Sequence, residues 1–288
     1  MRDGSRIGRR SILAGLGGAL LFILLTAVTE VGGLVLIASV AFTRYAFRES
    51  GLRRTARLAA HVFAFAFLYA LAVTVVLPGL APLAGRDALA CTVSDAEAPV
   101  AALSPLTCLL NRHYAVPAVH EAMRALAADL HERFPATELR YLDAAFPFGL
   151  PMLPHLSHGD GRRIDLAFFY RGRAGAYVPG LAPSPIGYWG FEQPGSGDPA
   201  PCRDHERWWD LRWNLGWLQP LLPEVTLDEE RTGALVTWLV TEGPRHGVAR
   251  VLLEPHLVAR LGSSSPMIRF QGCRAARHDD HIHVDVTG

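Results

Sequence analysis

The chain has 288 residues, half of them hydrophobic, and 28 basic against 27 acidic side chains leave a formal net charge of +1. A balance this close to neutral, with no basic stripe interleaved with aromatics, argues against a nucleic-acid partner. Lysine is absent and arginine supplies every basic side chain, which reads as a coding bias rather than a function.

The mean hydropathy is +0.19, high for a soluble chain of this length. The excess is local, because the first 82 residues are nearly free of acid and rich in Leu, Ala and Val. The remaining stretch, about 200 residues, is long enough for one well-buried domain.

Ile12 to Val28 and Val31 to Phe42 are apolar runs broken only by Thr29 and Glu30, and Leu58 to Leu80 is a third. The third is about long enough to cross a bilayer. All are apolar on every side, which disfavours core helices of a soluble domain. Residues 1–82 are therefore expected to form a membrane anchor with two or three hydrophobic segments. Arg9-Arg10-Ser11-Ile12-Leu13 resembles a twin-arginine export signal, but no clean small-residue cleavage site follows, so the anchor is read as retained. Arginines cluster before the first run (Arg2, Arg6, Arg9, Arg10) and between the runs (Arg44, Arg48, Arg53, Arg54, Arg57), and both clusters favour the cytoplasm. A hairpin turning near Glu30-Val31-Gly32-Gly33 satisfies both, with each arm short for a full span. One long tilted helix is the alternative and strands one cluster. With the hairpin, or with the N-terminus outside, Leu58 to Leu80 exports everything after Pro82. The chain is then expected in the cytoplasmic (inner) membrane, with its C-terminal part on the periplasmic side.

Cys91, Cys108, Cys202 and Cys273 all lie beyond the last apolar run. An even number confined to the exported part favours disulfides Cys91–Cys108 and Cys202–Cys273, with free buried thiols as the alternative. Residues 83–116 read as a tether and ordered lead-in. Pro117 opens a helix whose buried stripe is Val119, Met123, Leu126 and Leu130; His120 and His131 on it read as surface residues. Thr137 to Ala145 alternates like a strand, and Ile164 to Tyr170 is a second strand-like run after the Asp160-Gly161 turn. Gly172 to Cys202 is a Gly- and Pro-rich loop, in which Tyr177, Tyr188, Trp189 and Phe191 are candidates to line a groove. Trp209, Trp213 and Trp217, spaced by four, read as a helical core stripe. Leu227 to Glu242 is a helix, Val248 to Leu253 a strand and Leu257 to Leu261 a short helix. The expected class over 117–288 is α+β, with a small, mainly antiparallel sheet and flanking helices.

Two stretches carry chemistry. In His278-Asp279-Asp280-His281-Ile282-His283-Val284-Asp285-Val286 the apolar alternation marks a strand, so His281 and His283 project from one face. In Ser157-His158-Gly159-Asp160-Gly161-Arg162-Arg163-Ile164-Asp165 the turn lets His158 and Asp165 approach each other. Two imidazoles and one carboxylate are the ligand number of a hydrolytic zinc site with a position open for water.

HxxxxxxD with a terminal HxH resembles the zinc peptidase group of lysostaphin, the D-Ala-D-Ala metallopeptidases and the hedgehog signalling domain. The fuller forms, SHGDGRRIDLAFF and HDDHIHVDV, look most like the penicillin-insensitive murein endopeptidases; His155 and Trp209-Asp210-Leu211-Arg212-Trp213-Asn214-Leu215-Gly216-Trp217 also fit. The resemblance covers roughly Thr137 to the C-terminus. It implies that His158, Asp165 and His283 bind zinc, that His281 and His278 serve the reacting water and the transition state, and that His155 is an additional polar or metal-binding group. A further Asp-x-x-His pair of that family has no match here. The implied activity is hydrolysis of peptide cross-links in peptidoglycan, between D-alanine and a diamino acid. A D-Ala-D-Ala carboxypeptidase, or a zinc-containing cell-wall binding domain without catalysis, are the competing expectations.

Overall fold

Apolar residues on all sides of a segment make helix the conformation that satisfies every backbone group internally, and the N-terminal runs take it. The computed structural model describes residues 4–51, 53–203 and 212–288. Helix α1 (Gly4–Thr29) folds back into α2 (Gly32–Ala46) through a tight turn at Glu30 and Val31. Glu30 adopts φ 66°, and the Thr29 hydroxyl accepts from the Gly32 amide at 2.9 Å. A Cβ at Gly33 would overlap Thr26 and Phe22, so only glycine lets the two helices close this near the turn. Of the two arrangements open to Ile12 to Phe42, the chain takes the hairpin rather than one long helix. Helix α3 (Arg54–Leu71) runs on through a π turn (Ala72–Val76), α4 (Leu77–Leu80) and a 3-10 turn ending at Ala84. This 31-residue helical run, Arg54–Ala84, is long and apolar enough to cross a membrane, whereas Gly15–Thr29 and Gly32–Ala46 are shorter apolar helices. Leu20, Phe63 and Phe67 stand 68%, 77% and 69% exposed on this unit.

The rest of the chain is α+β. Short strands β1 (Asp87–Ala88), β2 (Val100–Ala102) and β3 (Tyr114–Ala115) enclose α5 (Pro105–Leu109). Then come α6 (Pro117–Arg133), β4 (Leu139–Tyr141), β5 (Arg163–Ala167) and β6 (Tyr170–Arg171). The chain ends with β7 (Thr226–Leu227), α7 (Glu229–Thr241), β8 (Val248–Leu252), α8 (Pro255–Arg260), β9 (Ile268–Arg269) and β10 (His281–Val286). Six strands form one mixed sheet in the order β2-β4-β5-β10-β8-β9. Its centre is antiparallel and its outer pairs, β2–β4 and β8–β9, are parallel.

Strand alternation divides this sheet chemically. Ile282, Val284 and Val286 of β10 join Ile164 and Leu166 of β5 in the main core, against Val119, Met123, Leu126 and Leu130 of α6 and Leu235 and Leu239 of α7. The intervening residues of β10 face the other way. Asp228 caps α7, accepting from the Arg231 amide at 3.3 Å.

Several expectations change. Residues 83–116, expected as a tether and ordered lead-in, are ordered: β2 forms an edge of the main sheet and β1–β3 pair with each other. Of Thr137 to Ala145 only Leu139–Tyr141 is strand; Leu142 to Ala145 make single pairings with Asp165, Arg112 and Tyr114 as the chain turns away. Trp213 and Trp217, 46% and 72% exposed, lie in irregular chain and a turn, so neither is a helical core residue. Trp209, Asp210 and Leu211 lie outside the described residues. Both disulfides form as expected, Cys91–Cys108 and Cys202–Cys273, and staple segments that the sheet does not hold directly.

Leu126 is fully buried at the centre of the α6 stripe. Leu126→Ala should lower the unfolding free energy by about 2–5 kcal/mol, read as a lower denaturation midpoint at unchanged slope in urea.

Candidate metal centre

Pairing of β5 with β10 sets Asp165 directly opposite His283, and His281 opposite Ala167. Two residues apart on an extended strand, His281 and His283 share the polar face of the sheet. A 3-10 turn (Leu156–Asp160), closed by Gly161 at φ 74°, brings His158 onto the same spot.

The Asp165 carboxylate has no exposed surface and is ringed by four imidazoles. Its Oδ1 lies 2.7 Å from His283 Nδ1, 3.3 Å from His158 Nε2 and 3.7 Å from His281 Nε2. Its Oδ2 accepts from the Tyr188 hydroxyl at 2.7 Å and meets His155 Nδ1 at 2.7 Å. Burial alone would push this carboxyl up; the His158, His281 and His155 rings overcome it and hold it well below the ordinary carboxylate range.

Three of the imidazoles, His158, His281 and His283, are oriented through a second nitrogen. His158 Nδ1 lies 2.5 Å from the Ala144 carbonyl, which only accepts, so the proton sits on Nδ1 and Nε2 presents a lone pair. That Nε2 is buried without a hydrogen-bond partner, and burial holds the ring's pKa down, favouring the neutral form. A lone pair aimed at a carboxylate oxygen in a dry interior is repulsive unless a cation lies between them. His283 faces carboxylates on both sides, Asp165 at Nδ1 and Asp285 Oδ1 at 3.1 Å from Nε2. Burial lowers its pKa, but those two hydrogen-bonded carboxylates raise it overall. Metal in place of the Nδ1 proton meets the same need. The donor set of His158 Nε2, Asp165 Oδ1 and His283 Nδ1 therefore fits a divalent cation of the zinc type.

His281 is built differently. Its Nδ1 lies 2.5 Å from Asp280 Oδ1, and its Nε2 is buried with no hydrogen-bond partner. Burial works against the charged ring, but Asp165 and Asp280 raise its pKa to about 9. His278 lies behind, its ring 5.0 Å from that of His281, with burial first and the neighbouring imidazoles second driving its pKa well down.

The donor atoms of His155, His158 and Asp165 all lie within 4.8 Å of one another, so His155 is placed to join the set through the opposite carboxylate oxygen, while His283 meets it at Asp165 Oδ1. Among the described residues the other such cluster is Cys91, Cys108 and His113, whose sulfurs are joined in a disulfide and are not thiolate ligands. His120 and His131 are half-buried on α6 and bond the backbone carbonyls of Asp87 and Thr137 instead.

Several participants were not singled out by motif. Asp285 follows His283 by two on the same strand face, a spacing that does point to it. Asp280 binds His281 through Oδ1 and accepts from the Trp189 amide at 2.6 Å through Oδ2. That contact holds Trp189 at φ 69°, a conformation rare for an aromatic residue. Tyr188, Trp189 and Phe191 from the 172–202 loop, with Trp213, wall a cleft beside His155 and His281. Tyr177 stays out of it, packing edge-on against Phe169.

Comparison with protein families, curated proteins and solved structures finds no match for this chain. The functional reading therefore rests on the motifs and on this geometry.

Replacing His158, Asp165 or His283 by Ala in the full chain should abolish stoichiometric zinc binding, each substitution removing a directed bond to the ion. Zinc content by mass spectrometry of inorganic ions checks it; full occupancy in all three variants would overturn the donor set.

Proposed function

We propose that the chain is a membrane-anchored zinc metallopeptidase that hydrolyses peptide cross-links of peptidoglycan. The observation that carries the reading is the pairing of two unlike sites on one face of the sheet. At one, imidazole nitrogens and a buried carboxylate converge with no proton donor between His158 Nε2 and Asp165. At the other, His281 is oriented by Asp280 and its Nε2 is left free beside them. A purely structural zinc site has no need of such a neighbour.

His158, Asp165 and His283 would hold the ion, with His155 as an additional group. Zinc supplies Lewis acidity there, activating a water and polarising a carbonyl. His281 Nε2 takes the proton of the reacting water and returns it to the leaving amine. With Asp165 committed to a cation, Asp280 is the main anion left beside His281, and the ring moves back toward the neutral form that a base requires. His278, neutral and buried, supports the charge that develops nearby. Asp280 fixes the tautomer of His281 through Nδ1, leaving Nε2 for the reaction.

A long substrate is favoured over a terminal one by the shape of the surroundings. The aromatic cleft shares Arg277 with a wider cavity of about 520 Å³ bordered by Gln193, Asn214 and Gln219. The Arg277 guanidinium sits 4.1 Å over the Phe191 ring and is fixed by Asp279, so it forms a rigid shared wall. An extended cross-link fits such a run better than the single closed pocket of a D-Ala-D-Ala carboxypeptidase. The membrane part of the reading rests on the outward apolar faces of α1, α2 and α3, since exposed patches of that extent mark lipid or partner contact. It puts the hairpin turn and the metal centre on the periplasmic side of the inner membrane.

His281→Ala should keep its zinc and lose about 10²–10⁴-fold in turnover, measured as zinc content and cleavage of cross-linked muropeptides on the same preparations. Loss of zinc would make His281 a ligand, and a zinc-loaded wild type that cleaves no muropeptide would leave a binding domain. A reporter fused after Gly288 should be active outside the cytoplasm; activity confined to the cytoplasm would reverse the topology.

A further inference from the structure

The loop joining β4 to β5 carries His155 and His158, and its shape is set from the N-terminal helices. At the tip of the α1–α2 hairpin, Glu30 is 5% exposed although it is an ionisable residue. Its Oε2 accepts from the Phe148 amide at 2.9 Å and its Oε1 from the Leu150 amide at 2.8 Å. Arg86, just past the exit of the long helical run, reaches the other edge of the same loop. Its two terminal nitrogens donate to the Phe146 and Gly159 carbonyls, each at 2.6 Å.

The fit leaves no room. A Cβ on Gly149, at φ 88°, would lie 2.7 Å from Arg86 Nη2 and 2.8 Å from the Gly159 oxygen. The hairpin turn is itself tied down, since Asn111, fully buried, donates to the Thr29 carbonyl at 3.0 Å. Val31 packs with Leu77, Ala81 and Tyr114 in a small buried cluster. A passive anchor needs only a link to its domain. Burying a carboxylate is costly unless hydrogen bonds compensate it, and here the compensating donors are loop amides that would otherwise have no protein acceptor.

We propose that Glu30, assisted by Arg86, is a positioning residue of the metal centre, so that the helical hairpin is a working part of the site and not only its anchor. The functional consequence rests on the zinc reading above; the clamp itself does not. Releasing the loop amides frees the segment from Phe146 to Gly161 while β10, held by β5 and β8, keeps its place. His158 then samples positions away from Asp165 and His283, and the ion is bound less tightly.

The test uses the full chain in lipid nanodiscs, as wild type, Glu30→Ala, Glu30→Gln and Arg86→Lys. Amide hydrogen exchange of the zinc-free proteins is read over residues 146–161, with residues 281–286 as internal reference. Zinc affinity is read by chelator competition. Glu30→Ala should raise exchange in the loop about tenfold or more and leave the reference strand unchanged. It should weaken zinc by about 10–100-fold, the usual effect of losing a supporting group. Glu30→Gln, which keeps one acceptor oxygen, should fall between Glu30→Ala and wild type on both scales, and Arg86→Lys should loosen the Phe146 and Gly159 edge in the same way. Loop exchange and zinc affinity within twofold of wild type in Glu30→Ala and Arg86→Lys would overturn the proposal. So would a rise spread equally over the loop and 281–286, which is general destabilisation. A wild type that takes up no zinc would sink the metal reading, and the exchange arm would then decide the clamp by itself.

Discussion

A carboxylate with no exposed surface at the centre of a sheet is unfavourable by several kcal/mol unless positive charge or donors surround it. Asp165 is such a group, and the antiparallel register of β5 and β10 places it opposite His283. The two remaining sides are closed by the turn carrying His158 and by Tyr188 from the long loop. The core side of the same two strands is apolar, so a one-residue slip of register would put Ile282 and Val284 on the polar face and the imidazoles in the core. Core packing and site assembly are thus one constraint, and the hydrophobic energy that fixes the register also fixes the chemistry.

Around that point the supporting acids work in pairs. Asp285 holds His283 and is itself held by Arg163 at 3.2 Å and by Arg250. Asp280 orients His281 and anchors the strained Trp189 backbone, so the cleft wall and the free imidazole are set by one side chain. Glu254, in a buried bidentate pair with Arg212 at 2.9 and 2.8 Å, accepts from the His278 amide at 3.3 Å. A ring whose second nitrogen is fixed keeps its tautomer and direction, which is what a metal ligand or a base needs.

The helical N-terminal part adds a longer connection. Its outward residues are apolar, but the tip of its hairpin is polar and points into the folded domain. Glu30 and Arg86 bind opposite edges of the loop between β4 and β5, and Tyr114 and Asn111 receive the turn from the domain side. Residues 83–116 take part in this connection: β2 is an edge of the main sheet, and the same stretch supplies Asn111 and Tyr114.

Periodicity and local chemistry determined a good deal of this without tertiary information. The stripe of α6, the helices near α7 and α8 and the strands β8 and β10 each follow from residues a few positions apart, where side-chain spacing maps directly onto a face. His158, Asp165, His281 and His283 were legible for the same reason, since HxxxxxxD across a turn and HxH on a strand are local patterns. What the fold alone decided lies in contacts between distant residues, for which no local pattern exists. Asp165 meets His283 across 118 positions, as Glu30 meets Phe148 across 118. Trp213 and Trp217 show the reverse error: their spacing of four is helical, but the chain there is irregular and neither is a core residue. Spacing can say which face a residue would occupy if its segment is regular; only packing decides whether it is, and which distant backbone amides a buried carboxylate will find.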